Sequence, residues 1–86
     1  MIKLELVISN PTGIHARPAQ ALVKLCERFQ SNIQLQCAKG CINPKSIFSL
    51  LGAAIKMGSQ IELQIDGPDE EEAACCLADF FDRLID

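Results

Sequence analysis

Three stretches of the chain alternate apolar and polar residues. Ile2, Leu4, Leu6 and Ile8 are interleaved with Lys3 and Glu5, Ile33, Leu35 and Cys37 with Gln34 and Gln36, and Ile61, Leu63 and Ile65 with Glu62 and Gln64. Period two with one polar face predicts strands of an antiparallel sheet that is covered on one side only. After Cys37, the turn Ala38-Lys39-Gly40 leads into Cys41-Ile42-Asn43, which reads as a short hairpin partner.

Between these strands the spacing changes to that of helices. Ala19, Leu22, Val23, Cys26 and Phe29 form one apolar stripe in 16–29, with Pro18 in the first turn, where a missing N–H costs little. In 69–85 the inner face is Ala74, Leu77, Ala78, Phe81, Leu84 and Ile85. Pro68 fixes the entry to that helix, and Asp69 with Glu72 has the spacing of a capping box. Glu70 and Glu71 add negative charge where the helix dipole favours it, so the acid cluster reads as helix-start chemistry. The segment 47–55 is apolar almost all round, and Gly52 and Gly58 are expected to break or end it. Leu50 and Ala53 or Ala54 can point inward together, which leaves Ile47, Phe48 and Leu51 partly outside as a contact surface. The other reading is a fully buried short helix.

The predicted order is β-α-β-β-α-β-α, an α+β open-faced β-sandwich with a four-stranded antiparallel sheet and three helices packed on one face. The 86 residues, 1–86, make a single domain. A chain of this size buries only about 60% of the surface its unfolded form exposes. That excludes a large enzyme with its own cofactor domain. Hydrophobic residues make up 49% and charged ones 22%, too apolar for disorder. The only aromatics are four Phe and net charge is −3, which argues against a general nucleic-acid binder. No apolar run approaches a membrane span, and Lys3 and Glu5 interrupt the first apolar segment, so a cytoplasmic chain without membrane insertion is expected.

Charge is unevenly distributed. Residues 10–60 sum to +5 and residues 61–86 to −8. Such a division either gives a basic face suited to an acidic partner or an anionic group, or is interleaved by folding. Cys26, Cys37, Cys41, Cys75 and Cys76 are odd in number and read as reduced thiols that pack as small hydrophobes. A metal gripped by Cys37 and Cys41 across their turn is the alternative, but no His lies near them in sequence. No metal and no cofactor is expected.

The one histidine, His15, stands in Thr12-Gly13-Ile14-His15-Ala16-Arg17-Pro18-Ala19, where a Gly-containing loop meets a helix start. Backbone N–H groups at a helix start bind anions. The positive end of the dipole disfavours an imidazolium, and Arg17 can offer planar donors to an anion on the ring. A phosphoryl group on His15 would meet backbone donors at Ala16 and Arg17 and a guanidinium at once, which is most of what phosphoryl transfer demands. No carboxylate or second His accompanies it, so a Ser-His-Asp hydrolase or a His-ligated metal site lacks its parts. On spacing alone, the alternative of a surface cap without chemistry stands beside this reading.

Gly13-Ile14-His15-Ala16-Arg17-Pro18-Ala19 resembles the active-site motif of the HPr family, the histidine-containing phosphocarriers of the bacterial phosphoenolpyruvate:sugar phosphotransferase system. Lys45-Ser46-Ile47-Phe48 is similar to the family's regulatory serine segment, and 57–63 and 67–71 to its last strand and the start of its last helix. The resemblance spans essentially the whole chain. It implies a phosphoryl-transfer intermediate rather than an enzyme that turns over alone. Enzyme I, phosphorylated by phosphoenolpyruvate, would load Nδ1 of His15, and His15 would pass the group to the A component of a sugar-specific Enzyme II, with Arg17 neutralising charge. The implied partner face holds Thr12, Gln20, Lys24, Lys45, Ile47, Phe48, Leu51 and Lys56, and a monomer is expected.

Ser46 has two readings. By position it is the N-cap of the short helix. In many HPr proteins of low-GC Gram-positive bacteria the matching serine is phosphorylated by a dedicated serine kinase/phosphorylase, which weakens Enzyme I docking and permits binding to a catabolite-control transcription factor. Pro44, just before this segment, departs from the family pattern. The competing readings of the chain are a specialised relative with other partners, a non-catalytic βαβ binding module, and a Cys-dependent metal or redox protein.

Overall fold

The computed structural model describes residues 1–84. The chain runs β1 (Ile2–Val7), α1 (Ala16–Glu27), β2 (Asn32–Cys37), β3 (Gly40–Ile42), α2 (Ile47–Ala53), β4 (Gln60–Asp66) and α3 (Glu70–Asp82). The strands form one sheet in the order β1-β4-β2-β3, and every neighbouring pair is antiparallel. The expected element order and the α+β open-faced sandwich are both observed.

Register explains why the alternation matters. Leu63 of β4 lies opposite Leu4 of β1 and Leu35 of β2, and Ile65 lies opposite Ile2 and Ile33. The apolar residues of three strands therefore stand in rows on one face, while Glu5, Gln34 and Gln36 stay exposed on the other. β4 and β2 have a neighbour on each side, and their Ile33, Leu35, Ile61, Leu63 and Ile65 are buried. At the edge, β1 leaves Ile2, Leu4 and Leu6 only half-buried. Leu22 and Cys26 of α1, Leu50 of α2, and Leu77 and Phe81 of α3 close the same core from above.

The directions of the helices follow from the contacts at their ends. Lys45, just before α2, reaches the carbonyls of Phe29 and Ser31 after α1 ends, at 3.1 and 3.2 Å. Ile55, just after α2, accepts from Ile14 before α1 begins, at 2.9 Å. Asp69, before α3, also meets Gln30 and Ser31. Both α2 and α3 are thus antiparallel to α1, which packs against each of them. The acid-rich start of α3 lies at the far end of α1 from His15, about 18 Å away at 1.5 Å per residue for 12 residues.

Several local expectations are corrected. Asp69 is the residue before α3 but makes no side-chain capping bond. Its two carboxylate oxygens instead accept from the Ser31 hydroxyl and from the backbone N–H groups of Gln30 and Ser31, each of the latter at 2.9 Å. Ser31 is fully buried there, and its need for a partner outweighs that of a solvated helix end. The Ser31 hydroxyl, then the Gln30 amide, hold the Asp69 carboxyl below its ordinary range. Glu70 supplies the local contact, accepting from the N–H of Gly67 at 3.1 Å. A Cβ on Gly67 would lie 2.6 Å from Ser31 Cα, so only glycine allows this approach.

The inner face of α3 includes Ala73, which the spacing did not single out, with Ala78 and Leu84 half-buried; Ile85 lies outside the described residues. Gly52 does not break α2 but lies inside it, and the helix ends on Ala54 in the left-handed conformation, with its N–H donating to the Leu51 carbonyl. Pro44 is fully buried at the bend between β3 and α2, which accounts for an apolar, rigid residue there.

Cys37 and Cys41 do not face each other. Cys41 lies opposite Gln36, so Cys41 projects with Gln34 and Gln36 on the open face, while Cys37 follows Ile33 and Leu35. The Cys41 thiol contacts Gln34 Oε1 at 3.2 Å. Cys26 is a core residue, and burial pushes its thiol up to about 12. Among the described residues, no helix is long and apolar enough to cross a membrane.

Candidate functional site

The loop between β1 and α1 is anchored before it reaches His15. Ile8 exchanges backbone bonds with the segment before β4, donating to Ser59 at 2.9 Å and accepting from Gly58 at 2.7 Å. Asn10 is 2% exposed, and its side-chain amide donates to the Gly13 carbonyl at 2.7 Å while its own carbonyl accepts from Gly13 N–H at 3.2 Å. Gly13 has φ +65°, and a Cβ there would lie 2.3 Å from the Ile55 carbonyl oxygen. Only glycine combines that conformation with that approach. Ile14 then buries its side chain and donates its N–H to Ile55.

His15 is the N-cap residue of α1, extended at φ −89° and ψ −168°. Its carbonyl accepts the first helical bond, from Ala19 at 2.9 Å. The first-turn amides of Ala16 and Arg17 lie outside the helical ladder, and Pro18 brings none. The ring makes no capping bond of its own. A cap usually accepts from the second or third helical N–H, and here Pro18 occupies the third position without one. The ring is half-buried, and Nε2 is buried without a hydrogen-bond partner among the described residues.

Around this point the sequence candidates separate into two groups. Thr12, Ala16, Arg17, Gln20 and Lys24 are exposed, the last four along the outer side of α1. Phe48 is 85% and Leu51 43% exposed on α2, while Ile47 is half-buried and Leu50 and Ala53 face the core. The fully buried reading of α2 is thereby excluded. Lys56 is exposed directly after Ile55, whose carbonyl meets Ile14. Because α2 runs antiparallel to α1, its exit stands beside His15 and its start stands at the other end of α1.

Lys45 is the exception among the basic candidates. Its ammonium is bound to the Phe29 and Ser31 carbonyls at the C-terminal end of α1, where a cation complements the helix dipole. It does not extend the basic surface beside His15. Ser46 caps α2 by accepting from Ser49 N–H at 3.3 Å, so the N-cap position read from the sequence is occupied as such.

Two residues near the site carry no signal in the sequence reading. Met57 is 59% exposed next to Lys56. Asn10 is the buried strut of the loop; the Asn-Pro pair marks a turn, but no periodicity places a polar side chain indoors. A depression of about 570 Å³ lies on the polar side of the sheet between Glu5, Val7, Gln36 and Gln60 and touches none of these residues. Among the described residues, no group of three or more His, Cys, Asp or Glu could hold a metal ion.

Comparison with known proteins agrees with this geometry. The chain matches the family model described as "PTS HPr component phosphorylation site" over residues 2–83. It is 40% identical over 74 residues to the phosphocarrier protein HPr of Lysinibacillus sphaericus, covering 86% of this chain and 84% of that one. It is 37% identical over 83 residues to phosphocarrier protein HPr of Xylella fastidiosa strain 9a5c, covering 96% and 93%. The crystal structure of HPr-C-His from Thermoanaerobacter tengcongensis superimposes with a TM-score of 0.90 at 34% identity, covering 95% of this chain and 92% of that one. From strand register to family match, the chain belongs to the HPr family, the phosphocarriers of the phosphotransferase system.

Proposed function

We propose that this chain carries a phosphoryl group on Nδ1 of His15 in the cytoplasm, received as a monomer from phospho-Enzyme I and delivered to the A component of a sugar-specific Enzyme II. The observation that carries the reading is the placement of His15: an N-cap residue with Nε2 buried, beside the first-turn amides of Ala16 and Arg17. In the loading step the Nδ1 lone pair attacks phosphorus as the bond from phosphorus to the donor breaks. The three phosphoryl oxygens then face the amides of Ala16 and Arg17 and the positive end of α1. Arg17 adds a guanidinium from the first turn and neutralises charge during transfer in both directions.

Docking falls to the exposed face that runs from the ring along α1 and α2. Phe48, Leu51 and the half-buried Ile47 supply an apolar centre, with Thr12, Gln20, Lys24 and Lys56 as its polar and basic border. Acidic partner surfaces are steered to that border. Lys45 stands outside it, bound to carbonyls of the α1 end. Ser46 fits a regulatory role for a serine kinase/phosphorylase, with a catabolite-control transcription factor as the reader. A phosphate there gains from the start of α2 and places negative charge beside the docking patch.

The direct test incubates the protein with Enzyme I and labelled phosphoenolpyruvate and asks for an acid-labile phosphate. His15→Ala is expected to abolish loading with folding intact. Arg17→Ala is expected to load but to transfer slowly, by about 10²-fold or more. Normal transfer in both variants refutes the assignment.

A further inference from the structure

Among the described residues, no side-chain hydrogen bond orients the ring of His15. It makes no capping bond, and its buried Nε2 has no partner among the described residues. Its position is therefore inherited from the backbone that precedes it and from packing. That backbone has one distinctive feature. The Gly13 carbonyl and the Ile14 N–H belong to the same peptide unit. The carbonyl accepts from Asn10 Nδ2 at 2.7 Å, and the N–H donates to the Ile55 carbonyl at 2.9 Å. The plane of that peptide is held from both sides, one residue ahead of His15. The grip on the carbonyl side comes from a side chain only 2% exposed, in a loop whose Ser9 and Thr12 are exposed.

We infer that Asn10 is a positioning residue for phosphoryl transfer: its side-chain amide fixes the Gly13–Ile14 peptide plane and so presents His15 in register with the first-turn amides of α1. This rests on His15 being the phosphoryl acceptor. Asn10 touches neither the ring nor the phosphoryl group and acts through the loop. An asparagine suits the task because it donates a hydrogen bond without bringing charge into a buried site.

The test compares Asn10→Ala, which removes the donor, and Asn10→Asp, which keeps the shape but turns an acceptor toward the Gly13 carbonyl. With phospho-Enzyme I as donor, kcat for loading is expected to fall on the order of 10- to 100-fold, because a displaced nucleophile loses its alignment. KM is expected to stay within about twofold, since Asn10 is itself buried and offers a partner no contact. The His15 ring resonances and the Ile14–His15 nuclear Overhauser effects are expected to shift. A folded variant that loads with kcat within about twofold of the unaltered protein overturns the inference. Should the unaltered protein accept no phosphate, the carrier reading fails by itself. Ring resonances then decide whether Asn10 sets the ring's position: displacement in the variants upholds that and an unmoved ring overturns it. Should neither variant fold, exchange of the Asn10 side-chain amide protons in the unaltered protein decides: slow exchange supports the clamp and rapid exchange overturns it.

Discussion

Replacing Gly13 by alanine tests whether the approach of the loop to the end of α2 holds the site. The added Cβ would lie 2.3 Å from the Ile55 carbonyl oxygen and 2.7 Å from Lys56 Cα, both backbone atoms. Comfortable contact needs about 3.5 Å, so the two segments must separate by about 1 Å. That movement breaks the Ile14–Ile55 hydrogen bond, worth about 1 kcal/mol net. The backbone at φ +65° adds about 1–2 kcal/mol once a Cβ is present. The expected loss is therefore about 2–3 kcal/mol, a drop of roughly 10–20 °C in Tm for a domain of this size. Urea titration followed by circular dichroism measures it, with Gly52→Ala as the internal control. A Cβ at Gly52 meets nothing within 4 Å, and the site is helical, so that variant is expected to gain about 0.5–1 kcal/mol. If Gly13→Ala loses less than about 0.5 kcal/mol, the contact does not hold the loop and the reasoning fails.

Three further outcomes follow from the same geometry. Phe48→Ala is expected to leave stability within about 0.5 kcal/mol, because the ring is 85% exposed, yet to raise the Kd for Enzyme I by about tenfold if the ring is an anchor of the interface; calorimetry separates the two. Ser46→Asp is expected to weaken Enzyme I binding several-fold, by about 1 kcal/mol or less, and the effect should shrink as salt rises. The folded-state pKa of the Asp69 carboxyl lies below its ordinary 3.8, first through the Ser31 hydroxyl. Its stabilising contribution is thus complete above that ordinary value and is lost as pH falls through the lower folded value. Asp69→Asn should accordingly flatten the acid limb of the stability–pH curve, as read by thermal unfolding between pH 2 and 5; an unchanged acid limb would show that Asp69 contributes nothing there.

The elements of this fold were legible in the chain. Side chains alternate across a strand and recur along a helix face, so Ile33, Leu35, Ile61, Leu63 and Ile65, with Leu22, Cys26 and Leu77, declared the core before any packing was known. His15 was legible because the loop-to-helix junction and its motif are contiguous in sequence. The N-cap position of Ser46 and the outward Phe48 and Leu51 were legible for the same local reason. Only tertiary structure decided which element ends meet. Lys45 read as surface charge beside a docking patch, but the antiparallel run of α2 against α1 delivers its ammonium to the Phe29 and Ser31 carbonyls. Asp69 read as a cap, but buried Ser31 claims its carboxylate across the chain. Hairpin register put Cys37 and Cys41 on opposite faces, and burial made Asn10 a strut. Periodicity reports on the face a residue takes within its own element. A partner some 15 to 40 positions away is selected when the loops close, and the local pattern holds no record of it.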